Sequence, residues 1–154
     1  MSEEISNCLV ETHKHVNKVR GFLNLFIQDL IERGQYHDSS KFEEPELSVF
    51  AKYTPELGKV EYGSQEYKDL LLKVKVATDH HYSRNRHHPE HWPNGIENMT
   101  LVDLIEMLSD WKAATERNKD GNIRKSISIN SQKYKFPPEL RTIFENTVRE
   151  YFKE

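Results

Sequence analysis

The sequence contains a single cysteine, Cys8, among its 154 residues. One thiol excludes an intramolecular disulfide and also the cysteine clusters that hold structural zinc. The formal net charge is −3 at pH 7, so the chain lacks the basic surplus typical of general nucleic-acid-binding proteins. We therefore expect neither a disulfide scaffold nor general nucleic-acid binding, while a local basic pocket stays open.

Long hydrophobic runs are missing as well. No apolar segment approaches the roughly 20 residues that are needed to cross a bilayer. The first four residues, Met-Ser-Glu-Glu, are acidic where a signal peptide has a basic start. We expect a cytoplasmic protein without a membrane partner, and the length fits one domain, residues 1–154, with one hydrophobic core.

The alternating pattern of β-strands is also nearly absent, with a weak instance at 126–129. Apolar residues instead recur at three- and four-residue steps, which predicts a first helix at about 5–33 that stops at Gly34. Further helices are predicted from about 37, at 46–53, from 64, at 101–116 and from 137 to about 152. Proline and glycine predict loops at 54–63 and 89–95 and a turn at 120–122. The pattern predicts an all-α fold of about five or six helices.

The positions of the eight histidines are the strongest functional signal in the chain. Five lie between positions 80 and 91, His37 directly precedes Asp38, and Asp110 interrupts the apolar segment 104–111. Helical periodicity places His15, rather than His13, beside the apolar stripe of the first helix. Imidazole and carboxylate groups suit divalent transition metals, and a shared aspartate can bridge two ions. The order predicts a metal site assembled from several helices.

Each part of this pattern has an ordinary explanation when it is taken alone. Asp38 is also a good helix cap, the histidines at 80–91 would suit an exposed patch that binds metal nonspecifically, and Asp110 would suit a solvated helix face. Lys41, one helical turn after Asp38, is either a solvated charge or a contact for a phosphate. Glu106, one turn before Asp110, can brace a ligand histidine. Their combination favours the metal site.

The order His15, His37-Asp38, a later histidine pair and Asp110 resembles the HD-domain superfamily of metal-dependent phosphohydrolases. The segment 37–41, His-Asp-Ser-Ser-Lys, is similar to the His-Asp-x-x-Lys signature of several of its branches. Segments 12–15, 37–41, 85–90 and 106–113 also resemble an uncharacterised family with an HD-like core, found in phage and bacterial genomes. The resemblance covers about residues 15–146 and implies a single HD-like helical bundle around a metal site.

The resemblance also implies two divalent metal ions, drawn from Mn, Fe, Co, Ni or Mg. One ion would be bound by His15, His37, Asp38 and Asp110. Asp38 would bridge to a second ion, completed by one of His80 or His81 and by one of His87 or His88. The implied catalytic residues are Asp38 and Lys41. Substrate contacts are expected from Lys41, Arg84, Asn85, Arg86, His87, Lys112 and Arg117.

These implications lead to one expected function and two alternatives. We expect a dinuclear metal-dependent phosphohydrolase that acts on a small phosphate ester, with a nucleotide as the first choice. The same ligands also suit a diiron oxygenase of the HD type. A third possibility is a nucleotide-binding or partner-binding protein that retains the metal site without catalysis. The order of the ligands does not separate the three.

Overall fold

The computed structural model describes residues 2–57, 59–60, 64–117 and 121–153. In these ranges the chain is helical and contains no β-strand, which confirms the all-α prediction. The α-helices within the described ranges are α1 (Glu3–Tyr36), α2 (Glu46–Leu57), α3 (Gln65–Arg84), α4 (Leu101–Thr115), α5 (Ile123–Lys133) and α6 (Pro138–Thr147). Short 3₁₀ turns span Ser39–Phe42, Pro89–His91 and Gly95–Asn98, and a π-helical turn spans Val148–Phe152.

Several helix boundaries differ from the prediction. The first helix does not stop at Gly34 but continues to Tyr36. One glycine costs a helix only about 1 kcal/mol, which its neighbours can offset. The predicted loop at 54–63 is wrong at its start, because α2 runs through Pro55 to Leu57. Near a helix end, proline removes one backbone hydrogen bond without disturbing a following turn. Gly58, Gly63 and Asp120 lie outside the described residues.

Other boundaries agree with the sequence. Ser64 caps α3 by accepting a hydrogen bond from the Tyr67 amide. Thr100 and Asp103 form a reciprocal capping box at the start of α4. The weak strand pattern at 126–129 falls inside α5, so helical packing overrides it there. These local signals succeed because capping chemistry acts over only three or four residues.

The chain divides into two compact units, residues 1–36 and 37–154. The first unit is α1, a helix in which no residue is buried. Its charges suit the helix dipole, with Glu3 and Glu4 in the first turn and Arg33 in the last. The assignment of residues 1–154 to a single domain stays a prediction.

The core of the second unit is built mainly from its C-terminal helices. Helices α4, α5 and α6 and the π-helical turn bury Leu104, Met107, Leu108, Ile123, Ile127, Phe144 and Val148. Helix α3 buries a separate stripe of Leu70, Val74 and Ala77, and α2 packs along that helix. Because His81 follows Ala77 by four residues, the apolar stripe of α3 leads directly to a buried histidine. In the described residues, no helix combines the length and the hydropathy that a membrane span requires.

A matched pair of substitutions on α5 tests this core. Ile127 is fully buried, whereas Ile129 on the same helix is 57% exposed. We expect Ile127→Ala to lower the free energy of unfolding by about 2–5 kcal/mol, because it removes apolar contacts and leaves a cavity. Ile129→Ala should stay within about 0.5 kcal/mol of the parent. Urea unfolding followed by circular dichroism measures both, and equal losses would contradict the assigned core.

Candidate metal centre

The second unit brings four stretches of chain together around Asp38. His37 and Asp38 precede the first 3₁₀ turn, His81 lies in the last turn of α3, and His87 and His88 lie in the loop that follows. Helix α4 contributes Glu106 and Asp110. The His-Asp pair, the segment 81–88 and helix α4 are far apart in sequence, so this convergence is a product of the tertiary fold.

The first group of possible ligands consists of Asp38, His81, His87 and His88. Oδ1 of Asp38 lies 3.3 Å from Nε2 of His81 and 3.5 Å from Nε2 of His87. Nε2 of His81 lies 2.9 Å from Nε2 of His88. One carboxylate oxygen and three imidazole nitrogens therefore face a common point.

A second group shares Asp38 with the first and adds His37 and Asp110. Nε2 of His37 lies 3.6 Å from Oδ2 of Asp38 and 3.6 Å from Oδ1 of Asp110. The two oxygens of Asp38 thus face different ligand groups. This is the arrangement that a bridging carboxylate requires.

Two atoms of the first group have unmet hydrogen-bonding capacity. Oδ1 of Asp38 and Nε2 of His87 are buried side-chain atoms that find no hydrogen-bond partner among the residues the structure describes. Unpaired burial of such groups is costly. Donors about 2.0–2.1 Å from an ion lie roughly 2.9–3.4 Å apart in octahedral or tetrahedral geometry. The three distances given above, 2.9, 3.3 and 3.5 Å, are close to this range and fit a cation between these atoms.

Two glutamates contact the Nδ1 atoms of histidines in and beside these groups. Oε1 of Glu106 lies 2.9 Å from Nδ1 of His37 and 3.1 Å from Nδ1 of His87. Glu46, which is fully buried, lies 2.7 Å from Nδ1 of His80 and 2.8 Å from Nδ1 of His81. Metal-binding histidines commonly donate the other ring N–H to a carboxylate in this way. The Nε2 atoms of His37, His81 and His87 are thereby directed toward Asp38.

The partly buried carboxylates of the centre and the cations beside them shift one another's pKa values. The carboxylates of Asp110 and then Glu106 raise the pKa of His37 to about 10. Burial alone would raise the pKa of Asp38, but the ammonium of Lys41, 2.5 Å from Oδ2, holds it below its usual value. Burial would likewise raise the pKa of Asp110, and its interaction with His37 outweighs this and lowers it. The carboxylates are therefore anionic at neutral pH.

The pKa values of His81 and His88 are lowered, whereas that of His37 is raised. Burial lowers the pKa of His81, although Glu46 partly opposes this effect. Burial, followed by electrostatic interaction with the neighbouring imidazoles of His87 and His81, lowers the pKa of His88 to about 4. A neutral imidazole keeps a lone pair for a metal ion. The first group is therefore chemically suited to coordinate a cation.

Asp38 itself has an uncommon backbone conformation. It lies at the N-terminal boundary of the turn Ser39–Phe42 with φ 56°, and its side chain makes no capping hydrogen bond. Left-handed backbone is rare in residues other than glycine, but aspartate and asparagine tolerate it best. The side chain of Asp38 therefore does not cap the turn and faces the histidines instead.

The remaining predicted ligands are His15 in the first unit and the adjacent histidine pairs of the second. His15 is an exposed residue of α1 in the first unit, and its ligand role stays a prediction. Of the adjacent histidines at the end of α3, His81 belongs to the first group, whereas His80 binds Glu46. Both members of the pair His87 and His88 belong to the first group, although His87 was expected to contact substrate.

Several residues that were expected to contact substrate have partners within the fold. Asn85 is buried, and its amide donates to Oγ of Ser40 and to the carbonyl oxygen of His81. Arg86 forms a two-pronged ion pair with buried Asp103, at 3.1 and 3.3 Å. Its guanidinium also lies 5.0 Å from the centre of the Trp92 ring. Both side chains stabilise the loop that carries His87 and His88.

Three further cations in this set lie at or near the surface. Arg84 and Arg117 are exposed. Lys112 is half-buried and lies 3.1 Å from the carboxylate of Glu116. Their predicted contacts with substrate stay predictions.

Sequence reasoning missed Glu46 entirely. An acidic residue in the first turn of a helix is ordinarily explained by the helix dipole, and here nothing local distinguishes it. The only available signal is its place directly after Pro45, at the start of a helix that follows the His-Asp pair. Its two histidine partners lie 34 and 35 residues further along the chain.

Comparison with known proteins bears on the family alone. No curated protein and no solved structure matches the chain. Residues 4–150 match the family model described as a family of unknown function (DUF5662). This match covers nearly the whole sequence. The chain therefore belongs to DUF5662, a family of unknown function.

Proposed function

We propose that this protein is a dinuclear metal-dependent phosphohydrolase that acts on a small phosphate ester. The observation that carries the proposal is the sharing of Asp38 between two groups of possible ligands. The unpartnered buried atoms Oδ1 of Asp38 and Nε2 of His87 add a reason for a cation in the first group. The resemblance to the HD-domain superfamily supplies the class of reaction.

In the proposed reaction the protein mainly has to position the metal ligands and the phosphate ester. Two bound divalent ions would lower the pKa of a water molecule and neutralise charge on a phosphate ester. The chain's own part is to hold the ligands, with Asp38 common to both groups and Glu106 bracing a histidine in each. Lys41 lies at Oδ2 of Asp38 with 40% of its side chain exposed, so its ammonium can reach a phosphate at the centre.

A nucleotide is the first choice of substrate. Lys41, Lys112 and the exposed Arg84 and Arg117 provide cations in the second unit, and these can bind phosphate groups. The negative net charge disfavours a nucleic-acid polymer. The substrate of the proposal is accordingly a mononucleotide or another small phosphate ester.

A diiron oxygenase is the second candidate. It is favoured by the composition of the first ligand group, which contains three imidazoles and one carboxylate. Imidazole suits iron, cobalt, nickel and zinc, whereas magnesium prefers oxygen ligands. The metal content of the isolated protein, its diiron absorption band and its oxygen consumption separate the two chemistries. Tight binding of a nucleotide without turnover would instead indicate a binding protein.

The first functional prediction concerns Asp38. We expect Asp38→Asn to deplete metal from both positions and to abolish hydrolysis, because the amide lacks the charge that a bridging ligand supplies. Asparagine is chosen because it tolerates the left-handed backbone at this position. His88→Ala should instead deplete chiefly one ion. Elemental analysis per chain and turnover of nucleotides and generic phosphate esters with Mn, Fe, Co, Ni or Mg measure these effects.

His91→Ala is the matched control for this experiment. His91 lies in the same histidine-rich loop, but its Nδ1 atom donates to the carbonyl oxygen of Tyr82, and it belongs to neither ligand group. Its removal should leave the metal content unchanged, and all variants should retain a helical circular dichroism spectrum. Full metal content and activity in Asp38→Asn would reject the proposed centre. A metal-loaded parent with no turnover would reject hydrolysis.

The second functional prediction separates Lys41 from the ligands. We expect Lys41→Ala to retain the metal ions but to lower kcat/KM about 10- to 100-fold, which is the range for losing a hydrogen bond to a charged group. Lys75→Ala is the control, because Lys75 forms a comparable ion pair with Asp79 on the exposed face of α3. Loss of metal together with activity would show instead that Lys41 mainly supports Asp38.

A further inference from the structure

We propose that Glu46 is a positioning residue that fixes the tautomer and direction of His81 in the metal centre. The inference rests on the proposed metal centre and adds a residue that coordinates no ion. Glu46 is the first residue of α2 and is fully buried. Burial of a carboxylate is costly unless both oxygens are satisfied, and here each oxygen is bound by a different imidazole.

The direction of the hydrogen bond to His81 follows from its surroundings. Nδ1 of His81 lies 2.8 Å from Oε2 of Glu46, 3.0 Å from the amide nitrogen of Asn85 and 3.4 Å from Oγ of Ser40, whose hydroxyl can donate to Glu46 instead. The two amide protons of Asn85 are already donated, to Oγ of Ser40 at 2.7 Å and to the carbonyl oxygen of His81 at 2.8 Å. A carboxylate can only accept. Nδ1 of His81 therefore carries the proton and donates it to Glu46.

This assignment determines what the other ring nitrogen can do. With the proton on Nδ1, Nε2 of neutral His81 has a lone pair. That nitrogen faces Oδ1 of Asp38 at 3.3 Å and Nε2 of His88 at 2.9 Å. Glu46 thus keeps His81 in the one neutral tautomer that can bind a cation in the first group.

His80 fixes the orientation of the Glu46 carboxylate. Its Nδ1 atom binds Oε1 of Glu46 at 2.7 Å, which leaves Oε2 for His81. The two histidines are consecutive in the last turns of α3 and diverge by about 100° around the helix. Because the carboxylate bridges them, it cannot rotate without losing a hydrogen bond. His80, expected from the sequence to be a possible ligand, thereby gains a different role.

The two bracing glutamates are not equivalent. Glu46 serves His81 alone among the possible ligands, so its influence is confined to the first group. Glu106 binds His37 of the second group and His87 of the first. Loss of Glu46 should therefore weaken one ion, whereas loss of Glu106 should weaken both. A general structural defect would not reproduce this difference.

The test uses the full chain and Co²⁺ as the probe. Titration calorimetry measures the affinity of each ion for the parent, Glu46→Met and Glu46→Gln. Long-range ¹H–¹⁵N NMR of the metal-free protein reports the tautomer of His81. We expect Nδ1–H in the parent. Glu46→Met, which removes the acceptor, should shift His81 toward Nε2–H and weaken one ion about 10- to 100-fold, with the other unchanged.

Glu46→Gln is the conservative variant. Its remaining carbonyl oxygen can still accept from His81, while its amide faces His80. We expect the Nδ1–H tautomer to persist and the affinity to lie between those of the parent and Glu46→Met. Glu90→Met is the matched control, because Glu90 is held by Lys133 and Tyr134 and belongs to neither ligand group. It should leave both cobalt affinities unchanged.

The outcomes separate this inference from the proposed function. An Nε2–H tautomer in the metal-free parent would overturn the role of Glu46, even if Glu46→Met did not fold. Unchanged cobalt affinities in a folded Glu46→Met would overturn it as well and would leave the metal centre standing. A parent that binds no cobalt would instead reject the metal centre, while the tautomer measurement would still decide how Glu46 holds His81.

Discussion

The carboxylate of Asp38 is the constraint on which the arrangement of the second unit depends. One oxygen faces the imidazoles of His81 and His87, and the other faces His37 and Lys41. A partly buried anion of this kind is stabilised by neighbouring positive groups, because its desolvation is costly. The surrounding histidines, Lys41 and the left-handed backbone at position 38 together place this one charged group.

The loop after α3 presents two histidines to Asp38, and it is stabilised by contacts that are unrelated to metal binding. Arg86 is tied to Asp103, which also caps α4, so the loop and the helix are fixed to each other by one buried carboxylate. The indole N–H of Trp92 donates to the carbonyl oxygen of Arg86. Side chains on such a loop can be held in a defined geometry, as a preorganised site requires.

The sequence indicated the helices and several residues that converge around Asp38 better than it indicated the contacts between them. His37, Asp38 and Asp110 stand out because paired or isolated polar groups interrupt otherwise helical, apolar patterns. Arg86 and Glu46 do not stand out, since charged residues in a loop or in a first helical turn are ordinary on a protein surface. Their partners lie 17 or more residues away, and such pairings are set by packing rather than by local spacing.

Local rules also failed where tertiary structure outweighs a weak preference. Gly34 and Pro55 were expected to end helices, yet each costs less than the adjoining helical residues supply. The ligand role of His15 could not be tested in the same way, because α1 forms a unit of its own. The all-α class was therefore predictable, whereas the exact composition of the ligand groups was not.

Lys41 matters both for the charge balance of the metal-free centre and for the proposed reaction. Without a cation, its ammonium is the nearest full positive charge to Oδ2 of Asp38, and it holds the pKa of that carboxyl below the usual value. A cation bound to the same oxygen would repel the ammonium and compete for the carboxylate's charge. The long, partly exposed lysine side chain can turn away at little cost. The residue that stabilises the free carboxylate is thus also the one best placed to meet an incoming phosphate.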